Sequence, residues 1–251
     1  MFGNQRRVMT PDYPLDCVQP LCTAWWEKLD KPKRAAWCLA EAHVRHVAET
    51  PYILEPVGRG GSHAGDHSVA HFTLTTLNRA TSAPEITNLP IAAVPHYPGE
   101  ILTVGRGKRR PVLILADPGT AVEESLRQGA SRAKFAPVYL VAPYYSADSG
   151  GIREGFKPEF VRRVRSLQYT QFFWDNLPHE RGHHSILRLD HIQPIEPNVS
   201  SLRPLPWILS EEAQAVLTDA IRLHLSGLPP EPDSIWNIAR QELAKFPIVT
   251  E

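Results

Sequence analysis

Cysteine is scarce, net charge is absent and no long apolar run exists, and each shortage removes a class of protein. Three cysteines in 251 residues, Cys17, Cys22 and Cys38, are too few and too odd in number for a disulfide framework. A reduced, cytoplasmic protein is the expectation. Cys17 and Cys22 could begin a metal site, but no second pair follows to complete it, so they read as structural thiols. No segment reaches the roughly 18 apolar residues that a membrane-spanning helix needs. Arg6 and Arg7 precede no apolar run, so no secretory signal is expected. The 27 Lys/Arg balance 27 Asp/Glu, which leaves no global field to gather nucleic acid. No internal repeat is visible.

Proline, by contrast, is abundant. Its 24 residues are about twice ordinary usage, which argues for short elements and stiff loops over long helices. With 42% hydrophobic and 22% charged residues, the composition is that of a soluble globular chain, not a disordered one. Charge is unevenly spread. Residues 96–197 hold 14 Lys/Arg against 11 Asp/Glu, a net of +3, and the flanks hold 13 against 16. The sign permits a polyanionic ligand on the middle segment.

Along the chain, residues 21–49 predict two helices. Trp25, Trp26, Leu29, Ala36, Trp37, Leu39, Ala40, Val44 and Val47 recur at roughly helical spacing, with Asp30 as cap and Pro32 in the second first turn. Residues 56–67 form a Gly-rich loop, residues 68–80 suit helix or strand, and residues 81–98 form a proline-rich linker. Short strands are then expected at Ile101–Val104, Pro111–Ala116, Phe135–Ala142, Thr170–Trp174 and Ser185–Leu189, with a Gly- and Lys/Arg-rich turn at Gly105–Arg110. Pro158–Arg165 suits a helical turn. Ser210 caps a helix that Gly227 stops, and a last amphipathic helix spans Ser234–Phe246 behind Pro229, Pro230 and Pro232. Such spacing indicates an α+β chain in which a small antiparallel barrel (residues 96–200) carries a helical N-terminal extension and linker (1–95) and C-terminal helices (201–251).

Four segments carry a family resemblance. Pro98–Val104 (PGEILTV), Arg109–Leu115 (RRPVLIL), Val138–Pro143 (VYLVAP) and Ser185–Ile195 (SILRLDHIQPI) resemble, in order and rough spacing, the strands of the PemK/MazF toxin family. The resemblance covers about 100 of the 251 residues. It implies an SH3-like barrel, often dimeric, that cuts single-stranded RNA without a metal or other cofactor and is restrained by an antitoxin. Arg110, before the strand-opening Pro111, then has the phosphate-stabilising role. A guanidinium suits that role because it stays charged and forks onto phosphate oxygens. The family's hydroxyl residue, usually Thr, falls two residues after Pro143, where this chain has Tyr145, so Tyr145 or the adjacent Ser146 must supply the hydroxyl. Arg106, Lys108, Arg109, Tyr144 and His183 are the expected RNA-binding residues, the tyrosine by stacking on unpaired bases.

Two other outcomes follow from the same residues. If the departure at Tyr145 has cost the catalytic step, the barrel is an inactive module that grips RNA or a protein. His63, His67 and His71 stand four apart and would share a helix face as zinc ligands, but Gly61 and Gly65 oppose that helix. The expected partners are single-stranded RNA and an antitoxin, or a C-terminal helix acting as a self-inhibiting lid.

Overall fold

The computed structural model describes residues 13–47, 49–60, 70–77, 100–127, 135–148, 155–178, 183–196 and 201–246, apart from the side chains of Pro56, Arg59 and His183. In chain order the elements are β1 (Trp26–Lys28), β2 (Cys38–Arg45), β3 (Tyr52–Arg59), β4 (Ala70–Thr76), β5 (Thr103–Val104), β6 (Gly107–Ala116), β7 (Tyr139–Ser146), α1 (Pro158–Arg165), β8 (Phe172–Leu177), β9 (His183–Arg188), β10 (Gln193–Ile195), β11 (Leu202–Leu209), α2 (Glu211–Ser226) and α3 (Ile235–Leu243). They fall into two units, Met1–Val44 with Arg109–Glu251, and Arg45–Lys108.

The larger unit is built on a curled antiparallel half-barrel sheet. Its strand order is β1-β11-β2-β6-β7-β9-β8, with β10 also on β7. β9 and β10 share one edge of β7. Leu187 lies opposite Tyr144 and Gln193 opposite Val141. Six steps along one chain therefore match three along the other, and the surplus is taken up by a 3-10 turn at Leu189–His191.

Strand alternation divides the sheet into two faces. Leu39, Leu113, Tyr144, Phe173, Leu187 and Leu209 point to one face, which is covered by Val216 and Leu217 of α2 and Trp236 and Leu243 of α3. Cys38, Ala40, Ala42, Val44, Val112, Ile114, Val141, Ile195 and Leu202 point to the other and pack on one another. The curl of the sheet brings these side chains together, and among the described residues no helix packs in this cluster. Farther along this second face, Trp174 and Ile186 pack with Val164 of α1.

The expected helices over residues 21–49 are corrected to a 3-10 turn at Gln19–Leu21 followed by β1 and β2. The helical spacing was real but incidental, because Cys38, Leu39 and Ala40 are all buried and so supply apolar residues to any period. Trp37 adopts a φ of +66°, which no helix accommodates. Its N–H reaches the Ile114 carbonyl at 2.6 Å, and its own carbonyl accepts from Leu209 at 3.0 Å. The expected N-terminal helical extension is thus, where described, largely strand. β11 went unread because Pro204 and Pro206 argue against a strand. A register shift between Pro204 and Ile208 accommodates them.

The Gly105–Arg110 turn is also corrected, because β6 already starts at Gly107. Pro143–Ser146 lie inside β7. The helices fare better. Pro158–Arg165 is helical, and Ser210 caps α2 by accepting from the Ala213 N–H at 3.1 Å. Gly227 ends it at φ +68°, and Ser234 caps α3.

The smaller unit is a three-stranded sheet in the order β4-β3-β5. Within the segment 68–80, which suits helix or strand, Ala70–Thr76 form β4. Thr103 pairs with Ile53, so this segment is not the first barrel strand that the resemblance implies; β2 takes the place beside β6. Among the described residues no helix is long and apolar enough to cross a membrane.

Candidate functional site

Arg110 and Tyr145 meet on the second face of the larger sheet. Val112 pairs with Pro143, and carrying that register on by two residues sets Arg110 opposite Tyr145. Alternation turns both toward the face that holds Ile114 and Val141. The guanidinium carbon of Arg110 stands 4.0 Å from the centre of the Tyr145 ring. This is a cation–aromatic contact, with the guanidinium over the ring. Both side chains are half-buried.

Two residues not singled out in the sequence complete the group. The Tyr145 hydroxyl lies 2.9 Å from Nδ1 of His191, and the two rings meet edge-on at 5.4 Å and 77°. His191 is buried at 7% exposure, carried there by the 3-10 turn that splits β9 from β10. Its Nε2 lies 2.8 Å from Nη2 of Arg188. Arg188 sits 5.5 Å from the Tyr145 ring centre and 4.8 Å from that of Phe172. Asp190 takes Nε and Nη2 of Arg188 at 2.7 and 2.6 Å. Burial pushes the Asp190 carboxyl up, but these two hydrogen bonds and the Arg188 charge hold it below the usual carboxylate range. The available signal was the run Arg188-Leu189-Asp190-His191 at a strand end. Its meaning depends on the three-residue surplus across β7, which no local pattern displays.

The other expected residues lie elsewhere. Ser146 is exposed, and its hydroxyl donates to the Asp148 carbonyl at 3.3 Å. Tyr144 is corrected from RNA contact to core, because it is 1% exposed and its hydroxyl donates to Asp175 at 3.2 Å. Alternation places it on the helix-covered face, opposite Tyr145. Arg109 likewise faces away from Arg110 and pairs with Glu41 at 3.0 Å. Arg106 and Lys108 belong to the smaller unit, where Glu49 binds Arg106. The hydrogen bonds from Arg106 and then from His46 hold Glu49 down at about 2. His183 is in β9, and its side chain is outside the described set. His63 and His67 also lie outside the described residues, and His71 is exposed in β4. Among the described residues no group of three or more His, Cys, Asp or Glu is placed to hold a metal ion.

On the opposite face, Asp175 is buried at 1% exposure in a cage of neutral donors. The indole N–H groups of Trp25 and Trp26 reach it at 3.3 Å each, and the Tyr13 hydroxyl at 3.5 Å joins that of Tyr144. Burial pushes its carboxyl up to about 7, against the opposing hydrogen bonds from Trp26, Trp25 and Tyr144. Sequence reasoning passed over it as the one acid in the run FFWDN.

Comparison with protein-family models, with curated proteins and with solved structures finds no match for this chain.

Proposed function

We propose that the curled sheet is an SH3-like barrel of the PemK/MazF kind and that the Arg110–Tyr145 pair cleaves single-stranded RNA without a metal ion. The observation that carries this is the contact itself, 4.0 Å between guanidinium and ring. It joins Arg110, the residue before Pro111 inside β6, to the hydroxyl residue two positions after Pro143, the positions that the resemblance assigns to the reaction.

In the proposed step, the 2′-oxygen of a ribose attacks the adjacent phosphorus. A 2′-O–P bond forms, the P–O5′ bond breaks, the 2′-proton leaves and the 5′-oxygen gains a proton. The phosphorane carries more negative charge than the diester, so donors fixed in advance stabilise it more than the ground state. Arg110 supplies a permanent charge with several N–H donors, and Tyr145 supplies a hydroxyl beside it. Arg188, neutralised by Asp190, supports the second group more than it adds charge.

The test is incubation of purified wild type and Arg110→Ala with a mixed single-stranded RNA in EDTA, read on a denaturing gel. Cutting by wild type, with a loss of at least about 100-fold in the variant, is the expected result, since a single transition-state donor is worth that much. Equal cutting by both proteins contradicts it. Salt-dependent RNA binding without cutting would instead identify the barrel as a binding module.

A further inference from the structure

An arginine N–H can donate but never accept. Nη2 of Arg188 stands 2.8 Å from Nε2 of His191, while the Asp190 carboxylate, already bound to Arg188, is 3.9 Å from Nε2 and beyond hydrogen-bond reach; in neutral His191, Nε2 therefore presents its lone pair to Arg188 and the ring proton belongs on Nδ1. That nitrogen is the one 2.9 Å from the Tyr145 hydroxyl oxygen. Nδ1–H then donates to the phenol oxygen, and the phenol hydrogen is not spent on the imidazole. In the other tautomer, Nε2–H would face an arginine N–H, donor against donor. Asp190 fixes Arg188 through two bonds of 2.7 and 2.6 Å, so the fork cannot rotate away without losing both. Burial of His191 at 7% exposure keeps the ring in this direction.

Resting on the phosphate-binding role given to Arg110 and Tyr145, we propose that His191, held in its Nδ1–H tautomer by Arg188, is a positioning residue that makes the Tyr145 hydroxyl a dedicated hydrogen-bond donor to a substrate phosphate oxygen. The tyrosine that stands in place of a threonine-type hydroxyl thus comes with its own device for setting polarity. A hydroxyl alone can give or accept. One whose lone pair already accepts from His191 is polarised to give, and it gives beside the Arg110 guanidinium. Two donors directed at one anion suit a phosphodiester and disfavour a neutral ligand.

Two measurements test this, and neither requires cleavage. The first is the ¹⁵N spectrum of the imidazole of His191 in the whole protein, for wild type and Arg188→Met. A single Nδ1–H form in wild type, lost to a mixture in the variant, is expected. An Nε2–H form in wild type overturns the proposal. The second is binding of a single-stranded 2′-O-methyl RNA, which keeps its phosphates but has no free 2′-hydroxyl. Tyr145→Phe and His191→Leu should each weaken it about tenfold, the value of one charge-assisted hydrogen bond. The double variant should be no weaker than Tyr145→Phe alone, and His191→Asn, whose amide can replace Nδ1–H, should restore most of the affinity. Additive losses, or failure of Asn to rescue, mean that His191 only fills space and overturn the proposal, as does unchanged binding in all variants. If this cycle holds while natural RNA survives intact, the proposed cleavage fails and the phosphate-binding device stands.

Discussion

Asp175 sits in an environment that its charged form disfavours. A carboxylate in water is worth far more than one surrounded by indoles and phenols, and the cage offers it hydrogen bonds but no cation. Its pKa, raised from 3.8 to about 7 in the fold, means that the folded state holds a proton that the unfolded chain releases near pH 4. Folding stability from this group is therefore fully present below about pH 4 and is lost as pH rises to about 7, by roughly 4 kcal/mol. Asp175→Asn removes the ionisation and keeps the shape. Chemical denaturation of both proteins at several pH values should show the variant gaining on wild type between pH 4 and 7, with the difference level above that. Parallel curves would contradict the burial argument. Burial among Val164, Trp174 and Ile186 pushes the Cys17 thiol up to about 12, so it should resist alkylation in the native state.

Among the elements, α2 and α3 are best explained by local chemistry. Ser210 accepts from the Ala213 N–H and donates to the Ala24 carbonyl at 2.6 Å, so one hydroxyl caps α2 and ties it to the segment before β1. Ser210→Ala should lower stability by about 1–2 kcal/mol in a denaturant titration, more than an ordinary surface change. α3 buries Trp236, Ala239 and Leu243, and Trp236 stacks on Phe173 at 6.3 Å. Phe173 faces the helix-covered side of the sheet, opposite Arg110 and Tyr145. The expectation that this helix acts as a lid over the site is corrected accordingly. Its apolar stripe runs through Trp236 and leaves Ile238 47% exposed. Removal of residues 229–251 should unfold or weaken the protein, seen as a lower melting temperature, and should not raise any activity. These caps and stripes could be read from the sequence because the residues that make them are neighbours in it. β2 and β11 could not be read that way. The prolines of β11 are accommodated by a register shift against β2, and the positive φ of Trp37 just before β2 is held by hydrogen bonds to Ile114 and Leu209, both distant in sequence.

At the scale of the whole larger unit, the two faces of the sheet divide the work. One face is sealed by α2 and α3 around Asp175, Phe173 and Tyr144. The other closes on its own small side chains and leaves a polar group, Arg110, Tyr145, Arg188 and His191, between two apolar clusters. Half of that group was legible, because Arg110 stands just before Pro111 and Tyr145 two residues after Pro143, each within a short motif. The other half was not, because Arg188 and His191 reach Tyr145 only through the 3-10 turn inserted along the edge of β7. Alternation also removed two of the expected contacts, turning Tyr144 into the core and Arg109 toward Glu41. In the proposed function this group stabilises attack by a ribose 2′-oxygen. Mass analysis of the fragments that wild type releases from RNA in EDTA tests it most directly. Fragments ending in a 2′,3′-cyclic phosphate, with a free 5′-hydroxyl on the other side of the cut, are the predicted products. Fragments ending in a 3′-hydroxyl and a 5′-phosphate, or RNA left whole, would contradict it.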